Sequence, residues 1–280
     1  MSDKPIGVFD SGIGGMTVVK ELFTTVPQER IVYFGDTARL PYGTKSVETV
    51  QRYAREDTEL LLAQDVKLIV VACNTVSATA LGEVERLAHG IPVIGMIEPC
   101  AEEAVRVTKT GHIGIIGTEA TIASKAYETL IEREARRQSK PCFTISLACP
   151  LFVPLAEEGW TDHAATRLIA KEYLKDLKQQ NIDTLILGCT HYPVLNEVIQ
   201  EAVGPHVTLV NSGAAAAKKV SALLGRDRSQ STVAPEHVVL VSDVPRKFQK
   251  IGERFLGRPL PEARQVVWKE SWVVRREPIE

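Results

Sequence analysis

The run Leu68-Ile-Val-Val-Ala-Cys-Asn-Thr75 recurs downstream as Leu185-Ile-Leu-Gly-Cys-Thr-His191, with Cys73 and Cys189 116 positions apart (189 − 73). Each copy is a short apolar run, then a thiol, then a threonine within two positions, then a helix-like segment. A strand that ends in a polar turn and feeds a helix is a β–α unit. Such units alternate along the whole chain, which predicts α/β architecture with mostly parallel sheets and helices on both faces. Ligands of open α/β sheets bind at the carboxyl ends of the strands, where both thiols fall. Two matched strand-end thiols predict two half-sites, one per domain, that face a shared cleft and act as acid and base on opposite faces of one substrate carbon.

A second pair of segments supports duplication. Ile6-Gly-Val-Phe-Asp-Ser11 resembles His112-Ile-Gly-Ile-Ile-Gly-Thr118, and Ser11 and Thr118 are 107 positions apart (118 − 11), close to the thiol offset. Strands are expected at 5–10, 30–35, 67–73, 93–97, 112–118, 142–148, 184–189, 207–211 and 237–242. Helices are expected at 16–26, 46–64, 77–89, 100–109, 122–138, 162–180 (with Thr161 as its N-cap), 194–203, 214–224 and 244–256. The stretch 150–159 holds two prolines and two carboxylates and reads as a loop; 226–235 reads as a mobile surface loop. The charged tail after Pro259, with Trp268 and Trp272, is expected to pack on the surface or make an oligomer contact.

Composition excludes several classes. Lys and Arg number 33 against 35 Asp and Glu, a net charge of −2, so no nucleic-acid footprint is expected. No apolar run reaches the roughly 18 residues of a membrane span, and the first residues lack an apolar signal core. A cytoplasmic protein is expected. Five cysteines without a C-x-x-C pair argue against a disulfide framework, and Cys189-Thr-His191 is not a usual metal spacing, so no metal is expected. Ser11-Gly-Ile-Gly-Gly15 is a glycine turn between strand and helix but lacks the G-x-G-x-x-G spacing of a dinucleotide site.

Removing a weakly acidic Cα proton from one face and returning a proton to the other calls for two groups. One acts as thiolate and the other as thiol, and a thiol's pKa can be tuned toward the working pH. Asp10 ends the first strand, His191 lies two residues from Cys189, and Glu157 or Glu158 follows the prolines; each is placed to relay or tune protons. Ser11, Asn74, Thr75, Thr118, Thr121 and Thr190 all follow strand ends and offer small polar groups for a substrate, although the same residue types also serve as local caps.

Phe9-Asp-Ser-Gly-Ile-Gly-Gly15, Pro41-Tyr-Gly-Thr44, Ala72-Cys-Asn-Thr75, Gly117-Thr-x-x-Thr121 and Gly188-Cys-Thr-His-Tyr-Pro193 together resemble the glutamate racemases of the aspartate/glutamate racemase superfamily, in order and spacing over nearly the whole chain. The Gly-Cys-Thr-His-Tyr-Pro form favours these over the aspartate or hydantoin racemases. A binding module that holds an amino acid without turning it over stays as a third reading. The resemblance implies a cofactor-independent isomerase that interconverts L- and D-glutamate and supplies D-glutamate for peptidoglycan biosynthesis, cell wall biogenesis and cell shape. It implies a homodimer. It assigns Cys73 to D-glutamate with help from Asp10, and Cys189 to L-glutamate with help from His191 and a carboxylate mapped to Glu157. Implied substrate contacts are Asp10, Ser11, Pro41, Tyr42, Gly43, Cys73, Asn74, Thr75, Thr118, Thr121, Cys189, Thr190 and His191. The implied domains are pseudo-symmetric, 1–97 plus 210–280 and 98–209, with the active site between them. One departure is Gly213, where the family often places alanine after Asn-Ser.

Overall fold

The computed structural model describes residues 4–225, 235–243, 248–268 and 272–274. The first series of elements runs β1 (Ile6–Asp10), α1 (Met16–Thr25), β2 (Ile31–Gly35), α2 (Val47–Leu62), β3 (Leu68–Val71), α3 (Asn74–Thr79), α4 (Leu81–Leu87), β4 (Val93–Ile94) and α5 (Ile97–Val107). The second runs β5 (His112–Gly117), α6 (Glu119–Ala123), α7 (Ala126–Arg137), β6 (Phe143–Ala148), α8 (Phe152–Glu158), α9 (Ala164–Gln179), β7 (Thr184–Gly188), α10 (Asn196–Val203), β8 (Thr208–Asn211) and α11 (Ser212–Leu224). Then come β9 (Val238–Val241), α12 (Phe248–Leu256), β10 (Ala263–Trp268) and β11 (Trp272–Val274).

One sheet has the strand order β11-β10-β9-β2-β1-β3-β4 and the other β6-β5-β7-β8. The inner order 2-1-3-4 of the first repeats as 6-5-7-8 in the second, so the duplication visible in the sequence is a duplication of topology. Pairing is parallel except between β10 and β11. β1, β3 and β7 are buried along their whole lengths, as strands covered on both faces must be. One continuous apolar cluster takes in Ile6 and Val8 of β1, Leu68 and Val70 of β3, and Leu185 and Leu187 of β7. The two sheets therefore share a core, and α11 packs against both α1 and α5.

Several expectations are corrected. Residues 152–158 form α8 rather than a loop: Pro154 lies in its first turn, where its missing N–H has no intrahelical partner to lose. The N-cap of α9 is His163, whose Nδ1 accepts from Ala165 N at 3.1 Å, not Thr161. The single helix expected over 77–89 is divided at Ala80 into α3 and α4, and α3 starts at Asn74, directly after Cys73. The helix expected from 122 is divided by Lys125, whose φ of 55° is left-handed. In its described residues the tail after Pro259, expected to pack on the surface or make an oligomer contact, adds two strands that were not expected, β10 beside β9 and then β11, widening the first sheet. Most of the loop expected over 226–235, and residues 244–247 of the helix expected over 244–256, fall outside the described residues.

Candidate active site

The carboxyl end of β1 delivers Asp10 to the junction of the two halves. Its Oδ2 accepts from Gly12 N at 3.1 Å and Gly15 N at 3.0 Å, so the carboxylate organises the glycine turn. Burial pushes the Asp10 carboxyl up from its ordinary value, against the opposing pull of His191 and of the backbone N–H groups of Gly15, Gly12 and Ser11. Its other oxygen, Oδ1, is buried without a hydrogen-bond partner among the described residues. Tyr33 donates to Gly12 O at 2.7 Å and pins the turn from below. A Cβ at Gly14 would lie 2.2 Å from Thr190 Oγ1 and 2.6 Å from the His191 ring. Only glycine lets this turn lie against the turn that carries the second thiol. Thr17 adds a bond across the same seam, from its hydroxyl to Thr190 O at 2.8 Å.

Cys73 is the N-cap of α3 and is 5 % exposed. Its Sγ donates to Ser11 Oγ at 3.6 Å. Burial first, then the charges of Asp10 and Cys189, push its thiol up to about 12. Cys189 comes directly after β7, and its Sγ lies 3.8 Å from His191 Nδ1. A 3-10 turn, Tyr192–Leu195, separates this thiol from α10, so the two thiol turns are similar but not identical. His191 Nε2 lies 3.0 Å from Glu157 Oε1. Burial alone would lower the imidazole's pKa, but hydrogen bonds to Cys189 and Glu157 outweigh it and carry His191 to about 10. The ring, set between a sulfur and a carboxylate, is thus biased toward its protonated form. Of the adjacent pair Glu157 and Glu158, it is Glu157 that reaches the ring. Phe255 of α12 packs edge-on against His191, with ring centroids 5.4 Å apart.

A hydroxyl cluster lines the junction between α3 and α6. Thr75 Oγ1 lies 3.0 Å from Thr118 Oγ1 and 3.5 Å from Thr121 Oγ1, and the Thr118 and Thr121 hydroxyls are 2.9 Å apart. Thr118 also caps α6 through Thr121 N, so local capping and a place in the cluster coexist. Gly43 rests on Thr118, where an added Cβ would lie 2.8 Å away. The exposed Pro41 and the half-buried Gly43 flank Tyr42, but the Tyr42 hydroxyl is turned away into the protein, donating to Asp36 and to Asp57 Oδ2 at 3.1 Å. Asn74 is held by Tyr127 and Ser212. Gly213 explains itself: a Cβ there would meet Val18 at 3.2 Å, tighter than ordinary contact.

Cys73, Cys189, Asp10, Ser11, Thr190, His191 and Glu157 are thus brought together at the ends of β1, β3 and β7. Thr75, Thr118, Thr121 and Gly43 form an adjoining wall. Thr17, Tyr127 and Ser212 join the site without any sequence signal, because a lone Thr, Tyr or Ser on a helix carries none. Among the described residues no group of three His, Cys, Asp or Glu side chains could hold a metal ion, and no helix is long and apolar enough to cross a membrane. Chemically, the arrangement offers two thiols, each with its own hydrogen-bonded partner, beside a set of hydroxyl groups.

The profile of the Asp/Glu/Hydantoin racemase family matches residues 6–220. The chain is 53% identical over 268 residues to glutamate racemase of Chlorobaculum tepidum, a match that covers 95% of this chain and 97% of that protein. The crystal structure of glutamate racemase from Francisella tularensis in complex with D-glutamate superposes with a TM-score of 0.87 at 40% identity, covering 96% of this chain and 98% of that one. Escherichia coli glutamate racemase, in complex with L-glutamate and the activator UDP-MurNAc-Ala, superposes with a TM-score of 0.74 at 26% identity, covering 94% and 98%. With a match that runs from the start of β1 into α11, the chain belongs to the Asp/Glu/Hydantoin racemase family.

Proposed function

We propose that this protein racemises glutamate by 1,1-proton transfer between two cysteines, without a cofactor. The observation that carries the reading is the pairing of two buried strand-end thiols on duplicated halves, with Asp10 and Ser11 beside Cys73 and the His191–Glu157 couple beside Cys189.

For L-glutamate, Cys189 takes the Cα proton as thiolate, and the Cys73 thiol gives its proton to the opposite face. One C–H bond breaks and one forms; the sulfurs exchange roles. A Cys73 thiol pushed up to about 12 is protonated at neutral pH, which suits it to be the donor in this direction. His191, charged and backed by Glu157, donates to the Cys189 sulfur. D-glutamate uses the reverse sequence, with Cys73 as base. Asp10 Oδ1 is assigned to the substrate ammonium, and the Thr75, Thr118 and Thr121 hydroxyls with Ser11, Asn74, Thr190 and the Pro41–Gly43 backbone to its carboxylates. The first domain is assigned residues 1–97 plus 210–280 and the second 98–209, with substrate between them. A homodimer in the cytoplasm that supplies D-glutamate for peptidoglycan completes the reading.

The test is a circular-dichroism assay of L- and D-glutamate beside L-aspartate and a hydantoin. Glutamate alone should be driven to an equal mixture of enantiomers. Faster turnover of aspartate or hydantoin would assign another branch of the family, and glutamate binding without turnover would leave a binding module.

A further inference from the structure

We propose that Tyr127 and Ser212 are positioning residues: they hold the Asn74 carboxamide in one orientation and tie the turn after Cys73 to the strand before Cys189. The inference rests on the glutamate reading. Tyr127 donates to Asn74 Oδ1 at 2.7 Å, Asn74 Nδ2 donates to Ser212 Oγ at 3.3 Å, and Ser212 donates to Leu187 O at 3.2 Å. The four residues come from α7, α3, α11 and β7 and are all but fully buried. Asn74 is the residue after Cys73, and Leu187 is two before Cys189. The chain of bonds therefore links one thiol turn to the other through the protein interior.

Its polarity is settled by the donors available. The single Ser212 proton goes to Leu187 O, so Ser212 can only accept from Asn74. That places Nδ2 toward Ser212 and Oδ1 toward Tyr127. Burial, reinforced by Cys100 and opposed by a hydrogen bond with Ser212, pushes the Tyr127 phenol well above its usual value, so it keeps its proton for Asn74 Oδ1. Asn74 Nδ2 carries two protons, and Ser212 takes one. The second is left for an acceptor such as a substrate carboxylate. A carboxamide released from either partner could turn over and present its oxygen instead, repelling that carboxylate.

The test is a double-mutant cycle on the full-length protein, with D-glutamate affinity by calorimetry and kcat and KM by racemisation. Tyr127→Phe removes only the hydroxyl. It is expected to weaken D-glutamate binding and raise KM about fivefold, the effect of one neutral hydrogen bond, with a smaller change in kcat. In the Asn74→Ala background the same substitution should have no further effect. Ser212→Ala is read in the same way, so the result does not hinge on one variant folding. Wild-type affinity in the folded Tyr127→Phe and Ser212→Ala variants, or losses that multiply with that of Asn74→Ala, would overturn the inference and leave the glutamate reading intact. Wild-type protein that neither binds nor turns over glutamate would overturn both.

Discussion

Glu157 Oε1 lies 3.0 Å from His191 Nε2, and the opposite ring nitrogen faces Cys189 Sγ. The bond to Cys189, and after it the carboxylate, hold a buried imidazole toward its charged form. Glu157→Gln keeps the shape and removes the charge. Racemisation should fall about tenfold or more, the scale of a charge-assisted bond, whereas Glu158→Gln should change it little. Equal losses in the two variants would show that Glu157 has no special link to the ring.

The same couple makes a statement about stability. His191 is carried to about 10 in the folded protein, against about 6.5 in an unfolded chain. Its contribution to stability is therefore complete below about pH 6.5 and is lost as pH rises through about 10. Thermal unfolding of the wild type should weaken over that window more steeply than that of His191→Gln. Parallel curves for the two proteins would argue against a charged His191.

Activity should fall at acid pH. In the proposed reaction the working pair holds one proton on two sulfurs, and acidification would place a second there. A turnover rate that stays flat from neutral to pH 5 would argue against thiolate catalysis.

Arg39 pairs with the fully buried Asp57 at 2.9 Å and with Asp36 and Glu56. Burial and the adjacent Asp36 already push the Asp57 carboxyl well above its usual value. Arg39→Met takes this cation from the fully buried Asp57 and should cost about 3 kcal/mol in urea unfolding. The Tyr42 hydroxyl hangs on the same carboxyls, so Gly43 should loosen against Thr118 and KM for glutamate should rise. Unchanged stability would mean that the cluster adjusts without its cation.

Much of this arrangement was legible in the sequence, for physical reasons. Strand ends are written in apolar runs that stop at a polar residue, so Asp10, Cys73, Thr118 and Cys189 could be placed from the residues alone. The doubled offsets reappear as the doubled strand order. The features that were not legible depend on long-range contact or on tolerant local chemistry. Pro154 reads as a loop signal, yet the first turn of α8 accepts it. His163 and Thr161 are both able to cap, and only the structure selects His163. The Tyr42 hydroxyl looks available for substrate until Asp36 and Asp57, one of them on α2, take it. Tyr127 is an ordinary core residue until its partner Asn74 comes from 53 positions away.

The role of each thiol can be isolated directly. Cys73→Ala and Cys189→Ala should each lower racemisation by at least about a thousandfold, the range expected when an acid or base is removed from the reacting carbon, while circular dichroism shows the fold intact. Full racemisation by either variant would end the two-base assignment.

The most direct measurement tracks deuterium in the wild type at early times in D2O, starting from protiated L-glutamate. With one sulfur on each face, the D-glutamate formed should carry solvent deuterium at Cα, while the remaining L-glutamate stays protiated. Protium carried from substrate into product, or deuterium in the unreacted L-glutamate, would contradict a pair of thiols acting from opposite sides.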